Sequence, residues 1–213
     1  APGMLSVLSV FRTSGRAWGL VLFYFLAFGG FVALFLYLPK LLTAEHGLGD
    51  ADAGARAAGF ALLAVVGRPL GGWLSDRVGA RRVLLGSFVG VAVLALALAA
   101  AYAAIVPLTA AALAIAVALG LGTGAVFKLV PAWFPDRVGA ITGVVGAAGG
   151  LGGFFPPLVM GVTKSATGGY AVGFMLMALV GVACLAVLAA LRPDRAPSTP
   201  TREARHGPPH GRR

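Results

Sequence analysis

The sequence predicts an all-α polytopic membrane protein with six transmembrane helices, and three observations carry that prediction. Hydrophobic residues make up 59% of the chain and charged residues only 11%, against about 25% charged in a soluble domain. The mean hydropathy is +0.91. The apolar residues also gather into six runs, each close to the ~20 residues that cross the hydrocarbon core of a bilayer. A chain of 213 residues holds those runs with short connections between them.

The first run, Ala17–Leu42, carries aromatics and paired glycines and has Pro39 near its end. The second, Ala57–Ser75, contains Arg68. The third, Val83–Ala104, and the sixth, Gly169–Leu191, are apolar all round and are expected at the periphery, against lipid or a bland neighbour. The fourth, Leu108–Val130, opens after Pro107 and carries Gly120, Gly122, Gly124 and Lys128. The fifth, Ala140–Val162, holds a dense glycine ladder. Pro131, Pro135, Pro156 and Pro157 fall toward run ends, so proline punctuation is expected to coincide with helix boundaries.

Three segments follow from this division: a lead-in over 1–16, a helical bundle over 17–191 and a tail over 192–213. The tail, RPDRAPSTPTREARHGPPHGRR, is rich in proline and arginine and is expected to be disordered. Its His206 and His210 lack a carboxylate or thiol beside them, so contact with anionic lipid is favoured over a metal site. The net charge of +10 does not call for nucleic acid, because the basic residues lie between apolar runs or in the tail. Arg12, Arg16, Arg77, Arg81, Arg82, Arg137 and the tail arginines share one face; Lys40, Arg56 and Lys164 lie on the other. The positive-inside rule then places both termini in the cytoplasm of a multi-pass inner-membrane protein. Cys184 is the single cysteine, which excludes an internal disulfide and leaves it a packing role. The first residues lack a signal-peptide pattern, and an alanine at position 1 leaves open a longer parent chain.

Arg68 is the residue that asks for a function. An arginine inside a span costs about 2.5–3.5 kcal/mol on insertion scales. Glu45, Asp50, Asp52, Asp76, Asp136, Asp194 and Glu203 all fall at run ends or in connections, so no carboxylate of this chain is expected at its depth. A guanidinium without a carboxylate is a standing site for a planar oxyanion, whose two oxygens its fork can hold at once. The alternative is an ion pair with a carboxylate of a partner. Lys128, two residues before its run ends, is expected to snorkel to the interface. No Asp, Glu or His is placed to relay protons, which favours anion exchange over proton coupling. In GVVGAAGGLGGFFPP, Gly146 with Gly150 and Gly149 with Gly153 are spaced four apart, a pattern that brings helices close in lipid and bares backbone amides to a small ligand. GLGTG, at 120–124, lies inside an apolar run and is no dinucleotide fingerprint. No metal or cofactor is called for.

GWLSDRVGARR, from Gly72, resembles the loop motif of the major facilitator superfamily, although Ala80 stands where a basic residue is frequent. Within that superfamily, GRPLGGWLSDR, GTGAVFKLVPAWFP and GVVGAAGGLGGFFPP are similar to stretches of the nitrate/nitrite porter family. The resemblance covers about 17–191 and implies a transporter rather than an enzyme, with these six helices forming the C-terminal half of a twelve-helix protein. It implies nitrate or nitrite as substrate, bound by Arg68 with Tyr24 and Phe28 lining the site. Gly146, Gly149 and Gly150 would let their helix bend at the substrate, and Gly72, Asp76, Arg77, Gly79 and Arg81 would form a cytoplasmic gate. The chain has no asparagine or glutamine, so a second arginine and a substrate-contacting asparagine would come from a missing N-terminal half. The competing readings are a carrier of another small anion and a non-transporting membrane fragment.

Overall fold

A computed structural model describes residues 10–191; the residues before Val10 and the tail from Arg192, with His206 and His210, lie outside the described residues. Six helices follow in order: α1 (Gly15–His46), α2 (Asp50–Val78), α3 (Ala80–Ala101), α4 (Ile105–Trp133), α5 (Val138–Thr167) and α6 (Ala171–Ala190). A 3-10 turn over Pro135–Arg137 leads into α5. Each of the six is long and apolar enough to cross a membrane, as the run pattern predicts.

Pro107 in the first turn of α4, Pro131 in its last turn and Pro135 just beyond it mark boundaries as the sequence predicts. Pro39, Pro156 and Pro157 do not: α1 continues through Pro39 to His46, and α5 passes through Pro156 and Pro157 to Thr167. Transmembrane helices tolerate proline because neighbouring helices and local adjustments satisfy the freed backbone groups. What ends several of them is glycine. Gly47 and Gly168 stop α1 and α5 in the left-handed conformation, at φ 62° and 75°. Gly79, at φ 92°, reverses the chain between α2 and α3.

The helices alternate in direction and their ends collect at two faces. At one face Arg81 donates to the Leu191 carbonyl and Arg16 lies over the Trp133 ring at 5.8 Å. At the other, a His46 ring nitrogen is 2.9 Å from the Tyr102 carbonyl, Tyr102 packs edge-on to Tyr170, and Lys164 is 3.9 Å from Glu45.

α4 is the central element, packed against α1, α2 and α3, and it buries Leu108, Ile115, Leu119, Val126 and Val130. Two glycine-mediated seams draw backbones together. Between α2 and α4, a Cβ on Gly71 would stand 2.2 Å from the Leu121 carbonyl oxygen, and one on Gly120 would stand 2.4 Å from that of Ala64. Between α1 and α5, a Cβ on Gly29 would fall 2.4 Å from the Gly152 carbonyl. Neither seam admits a larger residue without moving a helix. α3 and α6 pack on each other and each turns an apolar face outward, Leu85, Val89, Val93 and Leu96 on one and Leu179 and Val182 on the other. They are one-sided rather than uniform: Phe88, Val91 and Ala95 of α3 are buried, and Ser87 Oγ donates to the Ala118 carbonyl at 2.7 Å.

Candidate functional site

Arg68 is half-buried in α2 and carries no hydrogen bond or ion pair among the described residues. Its guanidinium carbon instead lies 5.2 Å from the Phe28 ring centroid and 5.1 Å from that of Phe31. Phe28 and Phe31 are three apart on α1 and so share the face turned toward α2. Tyr24 adds a third ring, parallel to Phe28 at 5.5 Å. Phe127 of α4 closes on Tyr24 at 4.8 Å, near edge-on. The Tyr24 ring is buried, its hydroxyl makes no hydrogen bond among the described residues, and it lies close enough to Arg68 to interact electrostatically. The arrangement is a fixed cation on an aromatic wall, with one phenol donor beside it.

Two of these wall residues, Phe31 and Phe127, are missed by the sequence reading. Phe31 was open to inference, because it repeats Phe28 at helical spacing. Phe127 was not, since nothing local says which face of α4 meets Tyr24. The site also depends on Gly124: a Cβ there would stand 2.0 Å from the Arg68 carbonyl oxygen and 2.8 Å from the Gly72 nitrogen. Only glycine lets α4 lie against the α2 backbone at the arginine.

The glycine ladder of α5 divides into two faces. Gly149 is buried against the site, where a Cβ would fall 2.3 Å from Tyr24 Cε1 and 3.1 Å from Phe28 Cδ1. Gly153 faces Val32. Gly146 and Gly150 have nothing within 4 Å of an added Cβ, and neither do Gly139 and Gly143. The structure therefore joins Gly149 to Tyr24 and Phe28, while Gly146 and Gly150 look away from the described chain.

The loop motif is not one cluster. Asp76 Oδ2 accepts from Lys128 Nζ at 2.7 Å, linking α2 to α4. Lys128 thus has a carboxylate partner where sequence predicts simple snorkelling. Arg77 turns back onto the Trp73 ring at 4.0 Å, Arg81 reaches the end of α6, Gly79 makes the turn, and Gly72 faces the Lys128 stem. Asp76 and the loop arginines do not pair with one another in this conformation.

A family model described as the Major Facilitator Superfamily matches residues 5–212. The chain belongs to the major facilitator superfamily. Its six spans are consistent with one half of a protein of that superfamily. The "Probable nitrate/nitrite transporter NarK2" of Mycobacterium tuberculosis (strain ATCC 25618 / H37Rv) is 49% identical over 170 residues, covering 78% of this chain and 43% of the relative. The "Nitrite extrusion protein" of Bacillus subtilis (strain 168) is 44% identical over 166 residues, 78% of this chain and 42% of the relative. The "Probable nitrate transporter NarT" of Staphylococcus haemolyticus (strain JCSC1435) is 41% identical over 163 residues, 76% and 42% respectively. The chain spans less than half the length of these relatives.

Proposed function

We propose that this chain supplies the C-terminal half of a nitrate/nitrite carrier that works by alternating access, with Arg68 as an anion ligand. The observation that carries the reading is Arg68 itself, a cation within a span whose neighbours are rings and whose carboxylate is missing among the described residues. The names of the relatives support the choice of anion. In the carrier, Arg68 and a matching arginine of the N-terminal half neutralise the anion between them. Tyr24 donates a hydrogen bond, and Phe28 braces the guanidinium and packs on the anion's plane. Bound anion removes the repulsion between the two arginines, so the halves close only when loaded, and the glycines of α5, Gly146, Gly149 and Gly150, give that helix room to shift. Gly72, Asp76, Arg77, Gly79 and Arg81 gate the basic face, which the positive-inside rule assigns to the cytoplasm of a cell's inner membrane.

Nitrate and nitrite uptake by cells expressing the full-length protein tests this. Arg68→Lys is expected to abolish uptake, because an ammonium is a point charge that cannot hold two oxygens in a plane; normal uptake by that variant sinks the ligand role. Competition separates the second reading, a carrier of another small anion. Nitrite is expected to inhibit nitrate uptake where acetate does not.

A further inference from the structure

Arg68, Gly72 and Asp76 stand four residues apart on α2 and so form one stripe running from the anion ligand to the basic face. α4 crosses this stripe. Gly124 touches the α2 backbone at Arg68, and one turn later the Lys128 stem passes Gly72, where a Cβ would stand 3.5 Å from Cε. The ammonium ends 2.7 Å from Asp76 Oδ2. Lys128 is the exposed residue of the otherwise sheltered 121–130 stretch of α4, and Phe127 beside it packs on Tyr24. The lysine therefore lies between the Arg68 site and the basic face, about two helical turns of path in all, roughly 12 Å at 1.5 Å per residue.

Asp76 matches the proposed substrate in chemistry. A carboxylate is a planar, singly charged group with two equivalent oxygens, as nitrite is. The side chains of the pair are 44% and 61% exposed, and exposed pairs of this kind are weak and easily exchanged. An anion that reaches Lys128 can replace the carboxylate with no net change of charge at the lysine.

We infer that Lys128 is a second, lower anion site on the cytoplasmic side of Arg68, for nitrite or a similarly small monovalent oxyanion, and that Asp76 holds that site when the anion is absent. This rests on the reading of Arg68 as upper ligand. The Lys128 stem lies in the notch left by Gly72, and its ammonium swings between the carboxylate and the arriving anion. Asp76 is then a competitor as well as a tether, so removing it and removing its lysine have opposite effects.

The test is sided transport by the full-length protein, with nitrite presented separately to the outer and cytoplasmic faces of membrane vesicles. Lys128→Gln is expected to raise the half-saturating nitrite concentration about tenfold at the cytoplasmic face, the loss of one charge-assisted contact, and to change the outer value less than twofold. Lys128→Arg restores the cytoplasmic value. Asp76→Asn lowers it several-fold, because the competitor is gone. If the pair is only a tether, Lys128→Gln and Asp76→Asn shift transport in the same direction at both faces, and the inference is overturned. Asp76→Asn and Lys128→Arg decide the matter even where Lys128→Gln fails to reach the membrane. Arg68→Gln separates the two proposals: it abolishes transport from both faces if the upper site is right, whereas a wild-type rate refutes the upper site and leaves the opposite shifts at Lys128 and Asp76 to judge the lower one.

Discussion

Arg68 lies against Phe28 and Phe31, and rings compensate a cation only in part. Two such cation–π contacts sum to about 1–4 kcal/mol, comparable with the roughly 2.5–3.5 that a charge costs at membrane depth. Rings offer no acceptor in the plane of the guanidinium, however, so in the proposed carrier its N–H groups are left for an anion and the aromatic wall fixes where they wait. Gly149 belongs to the same device, since it admits the Tyr24 ring. Gly149→Ala is expected to push Tyr24 and Phe28 aside and to raise the half-saturating nitrate concentration several-fold or abolish uptake. Gly86→Ala, on the outward side of α3, meets open space and leaves the Tyr24–Phe28–Arg68 geometry intact. Uptake assays with both variants at matched expression check the contrast, and equal damage from the two would detach Gly149 from the site. Arg68 was legible in the sequence because charge inside an apolar run stands out without any alignment. Phe127 and the Asp76–Lys128 pair were not, because both depend on how α4 is rotated against α1 and α2. Apolar runs carry no information about that rotation.

At the scale of the helix, the seam between α2 and α4 holds the arginine in register. Gly67, Gly71, Gly120 and Gly124 bring the two backbones into contact, and the nearest atoms to their missing side chains are backbone atoms. Such atoms cannot rotate away, so Gly71→Ala or Gly124→Ala forces the helices apart. Overpacking costs roughly 1–3 kcal/mol, and both variants are expected to lower the thermal unfolding midpoint of the detergent-solubilised full-length protein and to reduce uptake. Gly86→Ala on α3 is the control: its Cβ meets nothing in the described chain, and alanine gains up to about 1 kcal/mol of helix propensity over glycine. An unchanged midpoint for Gly124→Ala would mean that the seam is looser than its geometry. The runs that mark the spans also place most helix centres correctly in the sequence. Pro39, Pro156 and Pro157 misled because they were weighed as in water, where a helix through such a proline loses hydrogen bonds that a packed bundle in lipid can replace.

Besides the outward faces of α3 and α6, the described residues present an open apolar face on α2 and another on α5. α2 exposes Leu62, Val65, Val66, Leu70 and Trp73, and α5 exposes Leu151, Phe154, Phe155 and Leu158. Lipid can cover either face, but α2 also carries Arg68 and α5 the open glycines, which makes these the faces for the other half of the proposed carrier. The assignment depends on which end of the bundle meets the cytoplasm, and charge bias argues for the end at Gly79 and Arg137. Cysteine labelling tests this with little background from the present chain, because Cys184 is 0% exposed and a buried thiol is inert. Gly49 and Gly139 lie at opposite ends of the bundle, and each has free space around an added Cβ. In intact cells, Gly49→Cys is expected to react with a membrane-impermeant maleimide, whereas Gly139→Cys reacts only after permeabilisation. The reverse pattern would turn the bundle over and move Lys128 to the outer side of Arg68. The sided assay would then show its Lys128 effect at the outer face, so the labelling fixes which face that experiment must read.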